Sequence, residues 1–367
     1  MHDTDVFVLG GGPAGLAAAI AARRSGFRVL LADAKKPPIE KACGEGLMPD
    51  SLIAAAELGI SIPLSAGFPF RGIRFESASH NVEADFPNGA GLGLRRTILQ
   101  PLLVEAAAQA GVELMWRTPV KGIANGVVST GAERVRARWI VGADGSQSSV
   151  RRWSGLNHFH RNSQRFSYRR HFRIAPWSEY MEIHWGERCQ FYVTPVSTKE
   201  VCLVLMTRDQ HQRVADALPC FPKLSKRLRG SFPVTSERGA YAVTRKLRRV
   251  TRGAVALIGD ASGNVDPITG EGLCLAFRQA AALAEAFDAE DLSLYEAAHR
   301  RMLRRPRFMA DFMLLMDRST LLQQRTMKAF TARPRLFAEI LAMHVGQLSW
   351  DRFATTATAL GWHVATQ

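Results

Sequence analysis

The sequence predicts an α/β chain with a Rossmann-like dinucleotide-binding domain, an inserted antiparallel-sheet layer and a helical C-terminus. Three observations carry this. The apolar run Val6 to Leu9 enters the turn Gly10-Gly11-Gly12-Pro13-Ala14-Gly15, and a second apolar run, Val29 to Ala32, ends on Asp33; the order reads as strand, glycine turn, helix, strand. Two more strands run into glycine-rich turns at residues 135–152 and 254–273. Between them, residues 166–206 show the alternation and aromatic content of antiparallel strands.

Each part of the first motif has a physical task. Gly10 permits a tight turn, Gly12 lets the backbone approach a pyrophosphate, and Gly15 lets the helix lie against the first strand. Pro13 suits a first helical turn and Gly26 can end the helix, whose free N-terminal amides and dipole then face an anion. Asp33 can accept hydrogen bonds from an adenosine ribose. The fingerprint alone leaves the dinucleotide open, and Lys35-Lys36 admits even a 2′-phosphate.

The chain of 367 residues can bury a large core and is expected to hold two joined domains. Its five cysteines, Cys43, Cys189, Cys202, Cys220 and Cys274, form no CxxC pair and no metal spacing with histidine, which points to a reducing, cytoplasmic setting and to no metal. The apolar N-terminal run follows Asp3 and Asp5 and is broken by glycines, unlike a signal peptide, and no stretch reaches the length of a membrane span. A net charge of +15 is concentrated in arginine clusters at 169–173, 245–249 and 300–307. Without a helix-turn-helix, zinc finger or aromatic-interleaved basic repeat, it reads as a solvated basic surface rather than a nucleic-acid site.

After Asp33, Cys43-Gly44-Glu45-Gly46 places two glycines around a glutamate, a backbone brought close to something, ahead of a helix from Pro49 to Leu58. Residues 68–86 read as a hairpin that interrupts the nucleotide domain. A helix from Thr97 to Ala110 opens beside Arg95-Arg96, where its polarity disfavours cations unless an anion is near. Domain bounds follow: 1–67, 88–153 and 247–300 for the discontinuous nucleotide domain, 68–87 and 154–246 for the substrate layer, and 301–367 for C-terminal helices. Those last helices, with Phe308, Phe312, Leu315 and Met316 at helical spacing beside arginines, are expected to cap the substrate side or touch a membrane surface.

Three signatures then coincide: the N-terminal fingerprint, GADGSQSSVRR at 142–152 and GDASGNVDPITGEGL at 259–273. Together they resemble the FAD-dependent superfamily of aromatic hydroxylases (group A flavoprotein monooxygenases) and geranylgeranyl reductases, over about the first 300 residues. The resemblance implies a FAD-binding domain of the glutathione-reductase type. It implies that Gly10, Gly12, Ala14, Gly15, Gly44 and Gly259 border the cofactor, that Asp33 binds the adenosine ribose, Arg96 the pyrophosphate and Asp260 the ribityl chain. Val120 would meet adenine through its backbone, Asp144 and Gly145 belong to a motif linked to FAD and NAD(P)H, and Gly272 and Leu273 would meet the flavin ring. NADPH or NADH would be a transient electron donor, since no second fingerprint exists. Asp33 stands where FAD members usually carry glutamate.

The two branches of that family imply different chemistry. The TGEGL segment and the Cys43–Gly46 loop look like the reductases, whereas Phe191-Tyr192-Val193-Thr194-Pro195 lacks the aromatic-rich motif with which reductases line a prenyl tunnel. Monooxygenation of an apolar or aromatic small molecule is therefore the first expectation, with His171, His184, Phe191 and Tyr192 as substrate contacts and the two histidines able to bond a phenol. Alkene reduction is the alternative, with Cys43 and Glu45 as candidate acids. A third reading is a non-catalytic FAD-binding protein that holds a partner through its arginines.

Overall fold

The computed structural model describes residues 2–131 and 133–366. Its first strand, His2–Leu9, lies between Val29–Asp33 and Arg134–Gly142 and is parallel to both. Helices cover the sheet, so Val6, Phe7 and Val8 are wholly buried, which accounts for an apolar run without alternation. The sheet order is Thr251–Arg252, Val255–Leu257, Arg134–Gly142, His2–Leu9, Val29–Asp33, Glu113–Trp116, with an antiparallel edge at Thr251–Arg252. Val120–Ala124 and Val127–Thr130 add an antiparallel meander onto Arg134–Gly142. The helices Pro13–Arg24 and Gly272–Asp288 pack together through alanines, so their backbones approach closely.

The second sheet runs Phe232–Pro233, Phe159–Arg173, Glu200–Thr207, Cys189–Ser197, Tyr180–Trp185, Gly72–Glu76, Asn81–Asp85, and Arg238–Leu247 also pairs with Phe159–Arg173. The hairpin at 72–85 joins it by a parallel pairing of Gly72–Glu76 with Tyr180–Trp185. Phe68–Phe70 instead pairs with Gly91–Gly93 in a three-stranded sheet that also holds Gly46–Leu47. One face of the second sheet, with Met181, Ile183, Trp185 and Tyr192, packs against C-terminal helices. Its other face, with Phe166, Phe191, Leu203 and Leu205, is covered by Val214, Phe221 and Leu224. Five helices close the chain: Leu292–Met302, Arg304–Arg318, Thr320–Ala332, Pro334–His344 and Trp350–Thr366. Pro306 and Pro334 sit in first turns, where a missing N–H costs nothing. Among the described residues no helix is long and apolar enough to cross a membrane.

Within the arginine cluster at 169–173, Arg169 departs from the expected solvated surface, while Arg173 is exposed. Arg169 is fully buried, donating to Glu40 Oε1 at 2.8 Å and to His171 Nδ1 at 2.9 Å. In a strand the side chains alternate between faces, and odd-numbered positions here point inward, so charge in the sequence marks a buried ionic row.

Candidate active site

A cavity of about 740 Å³ opens at the C-terminal ends of the parallel strands and is roofed by the second sheet. That is where an open α/β sheet offers free helix starts. Gly10 has φ +117°, and a Cβ there would strike the Ala143 carbonyl. A Cβ on Gly15 would collide with the Gly10 carbonyl oxygen, so this glycine is what lets the helix lie on the strand. Gly12 is different: its nearest neighbour for a Cβ is Arg96 Nη2 at 3.9 Å, so its bareness leaves room for a ligand beside a guanidinium. The helix Pro13–Arg24 has no side-chain cap and no acid in its first turn, so its amides face the cavity free.

The acids around this cavity are held in different ways. Asp33 Oδ2 accepts from Gly11 N at 2.7 Å and Oδ1 from Lys35 N at 2.8 Å, which fixes it at the strand end. Asp144 Oδ2 accepts from Ser149 N at 2.6 Å, while Oδ1 is buried with no partner. Asp260 pairs with Lys41 at 2.9 Å with its side chain 42% exposed. Partial burial works to raise its carboxyl, but Lys41, Arg96 and Arg245 hold it below the ordinary value. Val120, Gly145, Gly259, Gly272 and Leu273 all line the same cavity, and Gly272 opens the helix Gly272–Asp288 toward it.

Cys43, Gly44 and Glu45 form another wall. Glu45, at φ +59°, is buried; its Oε1 accepts from Arg96 N at 3.1 Å and its Oε2 meets His171 Nε2 at 2.6 Å. The anion at the helix start of Arg96–Gln109 is therefore the protein's own carboxylate. A guanidinium only donates, so the Arg169 contact makes His171 Nδ1 an acceptor and leaves the proton on Nε2, aimed at Glu45.

The structure separates the four residues expected to touch substrate. Tyr192 lines the cavity. His171 lies behind the loop, bonded to Glu45, and is fully buried. Phe191 packs against Phe221 on the far face, and His184 is paired there to Glu182 at 2.9 Å. His184, Glu182 and Glu76 are close enough to share a metal ion, as are Glu45, His171 and Cys202. In the first group Arg74 and Trp177 already donate to Glu182, and Lys223 pairs with Glu76.

Beside the cavity lies a narrow apolar chamber of about 50 Å³, walled by Ile73, Phe75, Met309, Met313, Phe337 and Leu341. The two spaces share Met181, Tyr192, Thr269 and Gly270. At their junction stands Glu271, 3% exposed, with Oε1 3.6 Å from Arg305 Nη2 and Oε2 3.8 Å from His344 Nδ1. Burial pushes its carboxyl up, by more than His344, Arg305 and Arg278 draw it down, with Asp50 adding to the rise. In the sequence Glu271 is marked only by the glycines on either side of it, within the TGEGL segment.

A model described as FAD binding domain matches residues 3–303. The chain belongs to the FAD-binding domain family. It is 26% identical over 324 residues to menaquinone reductase of Mycobacterium tuberculosis, covering 79% of this chain and 78% of that protein. It is 28% identical over 305 residues to digeranylgeranylglycerophospholipid reductase 1 of Methanothermobacter thermautotrophicus, covering 74% and 73%. Its fold is similar to that of a flavoprotein/dehydrogenase from Cytophaga hutchinsonii, with TM-score 0.83, 19% identity and 97% and 96% of the two chains covered. The flavin-dependent brominase Bmp2 follows the same fold with TM-score 0.75 at 18% identity over the full length of both. The chain is thus a FAD-dependent oxidoreductase, with NAD(P)H the donor typical of its family. The cavity fits that cofactor: an uncapped helix start beside a bare Gly12 and a guanidinium suits a pyrophosphate, and the orphan Asp144 Oδ1 awaits a donor.

Proposed function

We propose that this enzyme reduces a carbon–carbon double bond in a largely apolar substrate, taking electrons from NAD(P)H through FAD. The observation that carries this is the apolar chamber joined to the cofactor cavity through Met181 and Tyr192. Its walls are mostly thioethers, aliphatic chains and phenyl rings, which reward burial of hydrocarbon at about 25 cal/mol per Å². The missing tunnel motif at 191–195 still favours hydroxylation, but of the two histidines expected to bond a phenol, His171 is screened from the cavity by Glu45 and His184 is paired to Glu182 on the far face. The names of the relatives, reductases of menaquinone and of digeranylgeranylglycerophospholipid, fit a prenyl chain as the apolar body.

In this reading Asp33 holds the adenosine ribose, Arg96 the pyrophosphate, Asp260 the ribityl chain and the Val120 backbone the adenine, with Gly44, Gly272 and Leu273 against the flavin. Bound FAD supplies the hydride. The protein's part is to hold the double bond over that wall, exclude water and keep a proton ready. The test is an incubation with NADPH and a geranylgeranyl lipid that carries no quinone ring, run once without oxygen and once under labelled dioxygen. A product heavier by two hydrogens, formed without oxygen, is expected; one atom of labelled dioxygen in the product would return the assignment to monooxygenation.

A further inference from the structure

Three buried polar atoms lie close together without a hydrogen-bond partner: Glu271 Oε2, His344 Nδ1 and Arg305 Nε. Buried polar groups are almost always satisfied, so three orphans in one cluster mark a place built to meet something else. The position is specific. Glu271 lines the cofactor cavity, His344 lines the apolar chamber, and the 3.8 Å between Glu271 Oε2 and His344 Nδ1 is too long for a hydrogen bond.

We propose that Glu271 is the catalytic acid of this site, donating the proton that accompanies the hydride, with His344 and Arg305 as its positioning residues. This rests on the reductive reading above. One new C–H bond forms with the hydride of the reduced cofactor and the other with the Glu271 proton as the π bond breaks. The cofactor is left oxidised for NAD(P)H to reduce again, and Glu271 is left as a carboxylate that recovers its proton from solvent. The groups facing it are Asp50 on the helix Pro49–Glu57, Arg278 and Cys274 on its own helix, Arg305 on Arg304–Arg318 and His344 on Pro334–His344. Asp50 already takes Arg278 at 3.2 Å and Arg305 at 3.4 Å, so the two cations are largely spent on one carboxylate and Glu271 is left free to stay neutral. Glu45, one of the two acids suggested by the sequence, is placed less well, since both its oxygens are occupied by Arg96 N and His171.

Two measurements on the FAD-bound protein test this. Isotope-edited infrared difference spectra at neutral pH should show a protonated carboxyl that Glu271→Gln removes. Anaerobic single turnovers with a geranylgeranyl lipid that carries no quinone ring should place solvent deuterium on the saturated bond in D2O, and Glu271→Gln should slow flavin reoxidation at least 100-fold while its reduction by NADPH is unchanged. His344→Ala should shift the pH profile of reoxidation and spare reduction. Absence of the carboxyl band, or wild-type reoxidation in Glu271→Gln, overturns the proposal. A wild-type protein that shows the band yet saturates no prenyl double bond overturns the reductive reading and the donor role with it, and the band distinguishes that failure from a misplaced acid.

Discussion

Two buried ionic clusters border the cofactor cavity, centred on Asp266 and Glu271, and they are finished differently. Asp266 Oδ1 takes Arg165 at 2.6 Å and Ile268 N at 3.1 Å, while the neighbouring Asp317 takes Gln190 at 2.8 Å and Arg208 at 2.6 Å. Around Glu271 the closest approaches are 3.6 and 3.8 Å, and Oε2 has no donor. A buried carboxylate met at hydrogen-bond distance fixes geometry, whereas one left short of donors is held at a cost that a ligand or a proton can relieve. Within six residues, Asp266 to Glu271, the same loop thus passes from structure to chemistry.

The sharpest way to break this contrast is Arg165→Ala, which strands Asp266 and Asp317 in the interior. A loss of about 3–5 kcal/mol is expected, read as a fall in the thermal midpoint of the FAD-bound protein. A loss below about 1 kcal/mol would mean that the paired cluster does not carry the fold.

His299 supplies a neutral counterpart. It lies within 3.0 Å of Ser262 Oγ, and burial pushes its imidazole down to about 4, against a partial lift from Glu296. Between pH 6.5 and 4 the unfolded chain therefore binds more protons than the folded one, so stability holds above pH 6.5 and is lost as pH falls, by about 3 kcal/mol over the window. Unfolding by urea at pH 7, 5.5 and 4.5 should show this slope, and His299→Gln should flatten it; an unchanged slope in the variant would contradict the assignment.

Asp260 tests a carboxylate that is paired but open to solvent. Asp260→Ala should weaken FAD by a factor of roughly 10 to 100, as expected for one charge-assisted hydrogen bond, with little change in apoprotein stability. Titration of flavin fluorescence measures it, and unaltered affinity would remove Asp260 from the cofactor's partners.

The smallest effect is the most discriminating. A Glu whose folded pKa lies above its unfolded value is stabilising only below that unfolded value, and the benefit disappears as pH rises through the folded pKa. Glu271→Gln should therefore leave the thermal midpoint at pH 8 equal to or above wild type, the opposite sign to Arg165→Ala. A clear drop would place Glu271 with Asp266 as a structural acid.

Much of the nucleotide domain was legible because its demands fall on the backbone. Gly10 and Gly15 are needed whatever the ligand, and Asp33 stands at the distance one helix and one strand dictate. The roof was legible as strands, but which face each residue takes depends on pairing. Arg169 looked like surface charge until Glu40, 129 positions away, closed over it. His171 and His184 carry the right chemistry and point elsewhere for the same reason. Glu271 is the extreme case: the sequence shows an acid between glycines, and its meaning comes from Arg305 and His344 on helices that fold back from far along the chain.

The strand Phe159–Arg173 also works as a key for its own assembly. Inward it sends Arg165, Ser167, Arg169 and His171, and outward Phe166, Tyr168 and Phe172. Slipping its pairing with Glu200–Thr207 by one residue would exchange the two sets, driving two guanidiniums and an imidazole against Leu203, Leu205 and Leu224 while the aromatic rings met carboxylates. Hydrophobic strands of similar residues often tolerate neighbouring alignments. Here the ionic row makes every wrong alignment expensive, so the side chains that frame the cavity also proofread the sheet that roofs it.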